Sequence, residues 1–188
     1  MKNEDFVKLL KNIKAPLPFE INDKILEKSW KFYSEVEEKS KWEKLEVIIF
    51  GEPKAWKRER VRVGAGRQFL GMFDPNYSFK KIISDYVRDA MEEKGIKMIY
   101  GPVKLFVEFY KPMPKSLPPY KGLLYEAKLL MPTSKPDVDN YIKQVQDALN
   151  NITYGDDAQI ILERSAKYLS YQPRMEITME FLSSNVWK

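Results

Sequence analysis

Hydrophobic positions along the chain change period several times, and each change marks an element. Near the N-terminus Phe6, Leu9, Leu10 and Ile13 recur at three- and four-residue spacing, the pattern of one apolar helix face. Asn3 is placed to cap that helix. The segment APLPFE (15–20) breaks it. Asn22 then opens a second helix, with Ile25, Leu26, Trp30, Tyr33 and Val36 at helical spacing. LEVIIFG (45–51) reads as a strand. The runs VRV and RQFLGMF flank Gly64 and Gly66 and predict a small hairpin or loop. The next helix covers FDPNYSFKKIISDYVRDAMEEKG, with Tyr77, Ile82, Ile83, Tyr86, Val87, Ala90 and Met91 on its apolar side and Gly95 at its end. VKLFVEFY (103–110) is a strand. A Pro-rich break follows, then a short helix in GLLYEAKLLM (122–131). The chain closes with two strands, AQIILERSAKYL and RMEITMEFL, separated by a turn at Gln172–Pro173. The order predicts an α/β fold with a mixed sheet of about four strands and flanking helices. Residues 1–43 form an N-terminal helical extension, packed on the core or serving as an arm. Residues 44–188 form the main domain.

The length of 188 residues suits that arrangement. No apolar run reaches the roughly 18–20 residues of a membrane helix, and the N-terminus lacks a secretory h-region. A soluble cytoplasmic protein with no membrane partner is expected. The chain holds no Cys and no His. Disulfides, thiolate metal sites, His-ligated zinc and every His-dependent nucleophile are thereby excluded. Any catalysis falls to carboxylates, Lys, Arg, Tyr, hydroxyls or a bound cofactor. A carboxylate site would take a hard cation, Mg²⁺ or Mn²⁺. The net charge of +5 is compatible with nucleic acid and does not by itself require it.

The richest stretch is KPDVDNYIKQVQDALNNITYGDDAQI (135–160). Pro136 biases Lys135 away from helix, so a helix can start near Asp139 or Asn140 and run to Asn150. At 100° per residue, Lys143, Gln146, Asp147 and Asn150 fall within roughly 80° of Asp139. Tyr141, Ile142, Val145, Ala148 and Leu149 fall on the opposite, core-facing side. Phosphodiester cleavage needs a polarised phosphoryl oxygen and an activated water, which Mg²⁺ held by two or three carboxylates supplies. A neighbouring Lys stabilises transition-state charge. Asp156 and Asp157 offer a further carboxylate. Residues 151–157, fully extended, reach about 23–25 Å, enough to bring Asp157 back beside Asp139. The plainer reading of each feature stays open. Asp-x-Asp commonly caps a helix, Lys143 can pair with Asp139 on the surface, and Asp156–Asp157 can simply form a turn.

Lys54, Lys57, Arg58, Arg60, Arg62 and Arg67 form the densest basic segment. Phosphate contact is the favoured reading for these charges. Trp56 among them either stacks on an unpaired base or belongs to the core, and the core is favoured. Lys80 and Lys81 are weaker DNA candidates.

The acidic stretch resembles the RusA family of crossover-junction endodeoxyribonucleases, found in bacteria and prophages. The resembling elements are Asp137-Val138-Asp139-Asn140, Lys143, Asp147-Ala148-Leu149 and Asp156-Asp157-Ala158-Gln159-Ile160, at matching spacing throughout. Element order is similar over roughly residues 45–182. GEPKAWKRER resembles the family's early strand and Arg-Pro-Arg element, with Glu59 in place of the proline. Residues 1–43 have no counterpart. The resemblance implies Asp137, Asp139 and Asp157 as catalytic Mg²⁺ ligands and Lys143 as a catalytic residue. It assigns no role to Asp156. It also implies a homodimer that cuts branched DNA, such as Holliday junctions, at two symmetric sites. Two other readings remain: a catalytically silent binder of branched or single-stranded DNA on the same fold, and a structural protein whose acids only cap and turn.

Overall fold

A computed structural model describes residues 1–58, 60–63 and 69–183. Two helices come first, α1 (Asn3–Lys11) and α2 (Asp23–Lys39). Strand β1 (Lys41–Phe50), the hairpin strands β2 (Arg60–Val63) and β3 (Phe69–Phe73), and helix α3 (Tyr77–Glu93) follow. Then come β4 (Val103–Pro112), α4 (Pro119–Glu126), α5 (Val138–Leu149), β5 (Ile160–Ser170) and β6 (Arg174–Ser183). β2 and β3 pair with each other as the hairpin pattern predicts.

The main sheet has the order β1-β6-β4-β5. β6 is antiparallel to both β1 and β4, while β4 and β5 run parallel. The sheet is therefore mixed and four-stranded, as predicted. Its order was not evident in sequence: β5 and β6 are consecutive yet lie on opposite sides of β4. The short link between them passes the end of β4, tied there by a bond from the Met113 amide to the Ser170 carbonyl at 3.1 Å.

Strand alternation puts Leu45, Val47 and Ile49, then Leu105, Val107 and Phe109, then Met175, Ile177, Met179 and Phe181 on one face. α3 covers that face with Ile83, Val87 and Met91, and α5 with Tyr141, Ile142, Val145, Ala148 and Leu149. The opposite face is laced with ion pairs: Lys44–Glu46 at 2.7 Å, Lys128–Glu108 at 3.0 Å and Arg174–Glu176 at 2.6 Å.

Several boundaries differ from the sequence expectation. Asn3 is the first residue of α1, not its cap; the cap position is Lys2 and no side chain bonds there. Asn22 does cap α2, accepting from the Ile25 amide at 3.1 Å. Lys41, Trp42 and Glu43 pair with β6 and so belong to the sheet. Tyr77, Ile82 and Tyr86 of α3 are exposed, because the buried stripe at 83, 87 and 91 is narrow and they flank it. α4 begins at Pro119, a residue suited to a helix's first turn, and ends at Glu126. Lys128 then adopts φ 56°, and Leu129 and Met131 stay exposed.

The helices α1 and α2 hold each other through their own aromatic cluster. Phe6 packs on Trp30 and Tyr33 with ring centroids 5.2 and 5.1 Å apart. The amino terminus reaches Glu37 at 2.8 Å. None of these residues joins the main core. Among the described residues no helix is long and apolar enough to cross a membrane.

Candidate active site

The chain enters α5 through Ser134–Pro136, and two lysines hold that entry. Lys111, near the end of β4, donates to the Lys135 carbonyl at 2.7 Å. Lys167 of β5 donates to the Ser134 and Pro136 carbonyls at 2.8 and 2.9 Å. Burial, and after it the nearby Lys167 ammonium, lowers the pKa of Lys111. Neither lysine carried a sequence signal, because each lies in a strand far from the motif.

Asp137 occupies the cap position of α5 with extended backbone, yet its carboxylate makes no capping hydrogen bond. Asp139, in the first turn, accepts only a long 3.4 Å contact from the Asn140 side-chain Nδ2. Both are exposed, and among the described residues neither forms an ion pair. Simple capping thus does not account for the pair. The predicted faces of this helix are borne out: Asp139, Lys143 and Asp147 are exposed while the apolar side is buried. Gln144 is also buried, which the period alone did not show.

Lys143 does not pair with Asp139. Its ammonium lies 3.9 Å from the centroid of the Trp56 ring. Trp56 is half-buried and outside the main core, so the core reading of this residue does not hold. Its backbone amide donates to the Asn140 carbonyl at 2.7 Å. The next residue, Lys57, is gripped by the buried Asn76, whose side chain accepts from its amide at 2.8 Å and donates to its carbonyl at 2.7 Å. Gln144 closes the arrangement by donating to the Asn76 carbonyl at 3.2 Å. The basic segment is thus fastened along α5, with Lys54, Lys57 and Arg58 exposed. Arg60 and Arg62 lie on β2; Arg67 falls outside the described residues. Lys80 and Lys81 are engaged by Asp74 at 2.5 Å and Asp85 at 2.7 Å.

The second acidic pair sits in a tight turn. Asp156 caps a one-turn 3-10 helix (Asp157–Gln159), accepting from the Ala158 amide at 2.8 Å. Gln159 fastens the turn. Its side-chain oxygen accepts from Gly155 and Asp156 amides at 2.9 and 3.2 Å. Its nitrogen donates to the Ile99 and Gly101 carbonyls, both at 3.0 Å. Asp156 and Gln159 therefore have structural tasks, and exposed Asp157 is the acid left uncommitted.

Asp157 does not return to Asp139. The chain folds sharply after α5, with Ile152 and Thr153 amides both bonded to the Leu149 carbonyl at 3.0 Å. Asn151 takes a positive φ of 59°. This coiled turn has none of the reach of an extended segment. β5 then runs back along α5, so that Gln146 meets Glu163 at 3.1 Å and Lys167 meets Pro136. Asp157 precedes Glu163 and Asp139 lies toward Lys167. Helix and strand rises place the two carboxylates on the order of 15–20 Å apart. Among the described residues no group of three carboxylates is close enough to hold a metal ion.

The chain matches the family Endodeoxyribonuclease RusA over residues 51–180. It belongs to the RusA endodeoxyribonuclease family. That match takes in the basic segment, α5, the 3-10 turn and most of the sheet, and it leaves α1 and α2 outside. The chain is also 38% identical over 143 residues to the uncharacterized protein YqaN of Bacillus subtilis (strain 168), covering 74% of this chain and 98% of that protein. RusA membership supplies a nuclease context for the acids and the basic segment described above.

Proposed function

We propose that this RusA family member is a Mg²⁺-dependent endonuclease of branched DNA, four-way junctions foremost, acting as a homodimer, with Mn²⁺ as an alternative metal. The observation that carries this reading is the pair Asp137 and Asp139. Two exposed carboxylates, free of capping bonds and ion pairs among the described residues, stand at the entry of a helix beside a basic segment. Their hard oxygen donors fit a cation that is commonly bound through one or two carboxylates and keeps several waters. When bound, such an ion polarises a phosphoryl oxygen and lowers the pKa of an attacking water.

The rest falls to the chain. Lys54, Lys57, Arg58, Arg60, Arg62 and Arg67 contact backbone phosphates and set the register of the DNA arm. Lys143, one turn beyond Asp139, faces charge that develops on the phosphoryl oxygens or the leaving oxygen. Asp157 is the third acid of the site. Its position before β5, away from Asp139, supports a role in the site of a second copy, where Asp137 and Asp139 of one chain join Asp157 of the partner subunit. A two-fold dimer makes two such sites, which is what paired cuts across a junction require.

Single-turnover cleavage of a labelled four-way junction, titrated with Mg²⁺, tests the reading. Cleavage should rise and saturate with the metal and vanish in chelator. Binding without cleavage at any Mg²⁺ or Mn²⁺ concentration would replace it with a catalytically silent junction binder.

A further inference from the structure

We infer that Trp56 is a positioning residue that holds the Lys143 ammonium away from Asp139, keeping the carboxylate open and the cation aimed. This rests on the proposed nuclease reading for its purpose, though not for its geometry. Asp139 and Lys143 stand four residues apart on one helix with the acid first, the spacing and order that favour an ion pair. The pair does not form. The ammonium instead lies over the Trp56 ring at 3.9 Å, well within the range of a cation–π contact.

The ring is set there by main-chain bonds on both sides. Its own amide is bonded to the Asn140 carbonyl at 2.7 Å, which ties it to the first turn of the helix that bears Asp139 and Lys143. Both backbone groups of the following residue are held by buried Asn76. Asn76 is in turn fixed through its carbonyl to Gln144, on the buried side of the same helix. The ring thus travels with the helix. Its face offers the ammonium an attraction that uses none of the acids. Without it, the ammonium is free to turn to an acid one turn away, Asp139 in the favoured acid-first order or Asp147 in the reverse one, and an Asp139 engaged by Lys143 is a poorer metal ligand.

The test separates geometry from activity. With lysines carrying ¹³C-methyl labels, the Lys143 resonance should be shifted upfield by the Trp56 ring current. Trp56→Leu should abolish that shift and Trp56→Phe should keep most of it; Lys143→Met assigns the signal. Calorimetry should show Mn²⁺ binding several-fold weaker in Trp56→Leu and restored in Trp56→Leu/Lys143→Met, because the competing ammonium is gone. Single-turnover cleavage should fall on the order of 10-fold in Trp56→Leu and much less in Trp56→Phe. In the Lys143→Met background the same substitution should cost almost nothing further. An unshifted Lys143 resonance in the wild type, or equal Mn²⁺ affinity in Trp56→Leu and wild type, overturns the inference whether or not the protein cuts DNA. An inactive wild type with a shifted resonance and the predicted Mn²⁺ pattern would sink the nuclease reading and leave this one standing.

Discussion

At the N-terminal end of α5, Asp137 and Asp139 carry out no structural task that the hydrogen bonds reveal. At the other end, Asp156 and Gln159 are occupied in full, one capping a 3-10 turn and the other making four bonds to backbone. Yet both belong to one acidic motif. The first end is preorganised from outside, by Lys111 and Lys167 beneath the helix entry and by the Trp56 segment alongside it. The second is preorganised from within, by Asp156 and Gln159, and leaves the exposed Asp157 carboxylate without a hydrogen bond or ion pair among the described residues. The difference shows how one motif sets residues tied into the backbone beside residues left free of it. Spacing alone does not say which are which.

The sharpest way to break this comparison is to disable one end per chain. Asp139→Asn and Asp157→Asn should each reduce cleavage on the order of 10³-fold or more, while junction binding in Ca²⁺ persists. If the two ends meet across a dimer, mixed dimers of the dead variants contain one intact site. Co-expressed, differently tagged variants, purified as heterodimers, should regain nicking of one strand without paired cuts. Dimers built from sites within single chains would contain two damaged sites and stay inactive, and that outcome would return Asp157 to its own chain. Sedimentation of the wild type at micromolar concentration should show a dimer.

A smaller effect is expected at the holding residue of the second end. Gln159→Leu removes four hydrogen bonds, two exposed and two partly buried, and the partly buried pair to the Ile99 and Gly101 carbonyls is hardest to replace with water. Stability to urea should drop by about 2 kcal/mol. Metal affinity should weaken with it, since Asp157 loses its fixed turn, whereas DNA binding through the basic segment should not change. A Gln159→Leu variant as stable as wild type would show that the turn is held by Asp156 capping alone.

Much of this was legible in sequence, for identifiable reasons. The buried face of α5 followed from its period, because a helix against a sheet repeats its apolar positions faithfully. The cap at Asn22 and the α3 stop at Gly95 followed from local backbone chemistry. Strand order did not, since the pairing of β1 with β6 joins the two ends of the domain and leaves no local trace. Chain reach leaves the place of Asp157 open, because reach is only an upper bound. Thr153 and Asn151 coil the chain where an extended segment had been supposed. Trp56 was assigned to the core on general grounds, and nothing short of geometry places an indole beneath a lysine four residues from an acid.

The smallest expected effect comes from Tyr154, which lies under the second end. It is fully buried, and its hydroxyl has no hydrogen-bond partner among the described residues. Burial first, and then the charges of Asp157 and Asp147, raise its pKa. A buried hydroxyl without a partner costs desolvation and returns nothing, whereas the ring itself fills core volume. Tyr154→Phe keeps the ring and discards the hydroxyl. Urea denaturation should therefore show stability unchanged or raised by up to about 1 kcal/mol, with metal affinity and cleavage near wild type. A loss of more than about 1 kcal/mol would mean that the hydroxyl is satisfied in solution, by a buried water or by Asp157 itself. In the second case cleavage would change too. The exposed acid would then share in holding its own end of the motif, and the division between tied and free residues would fail at Asp157.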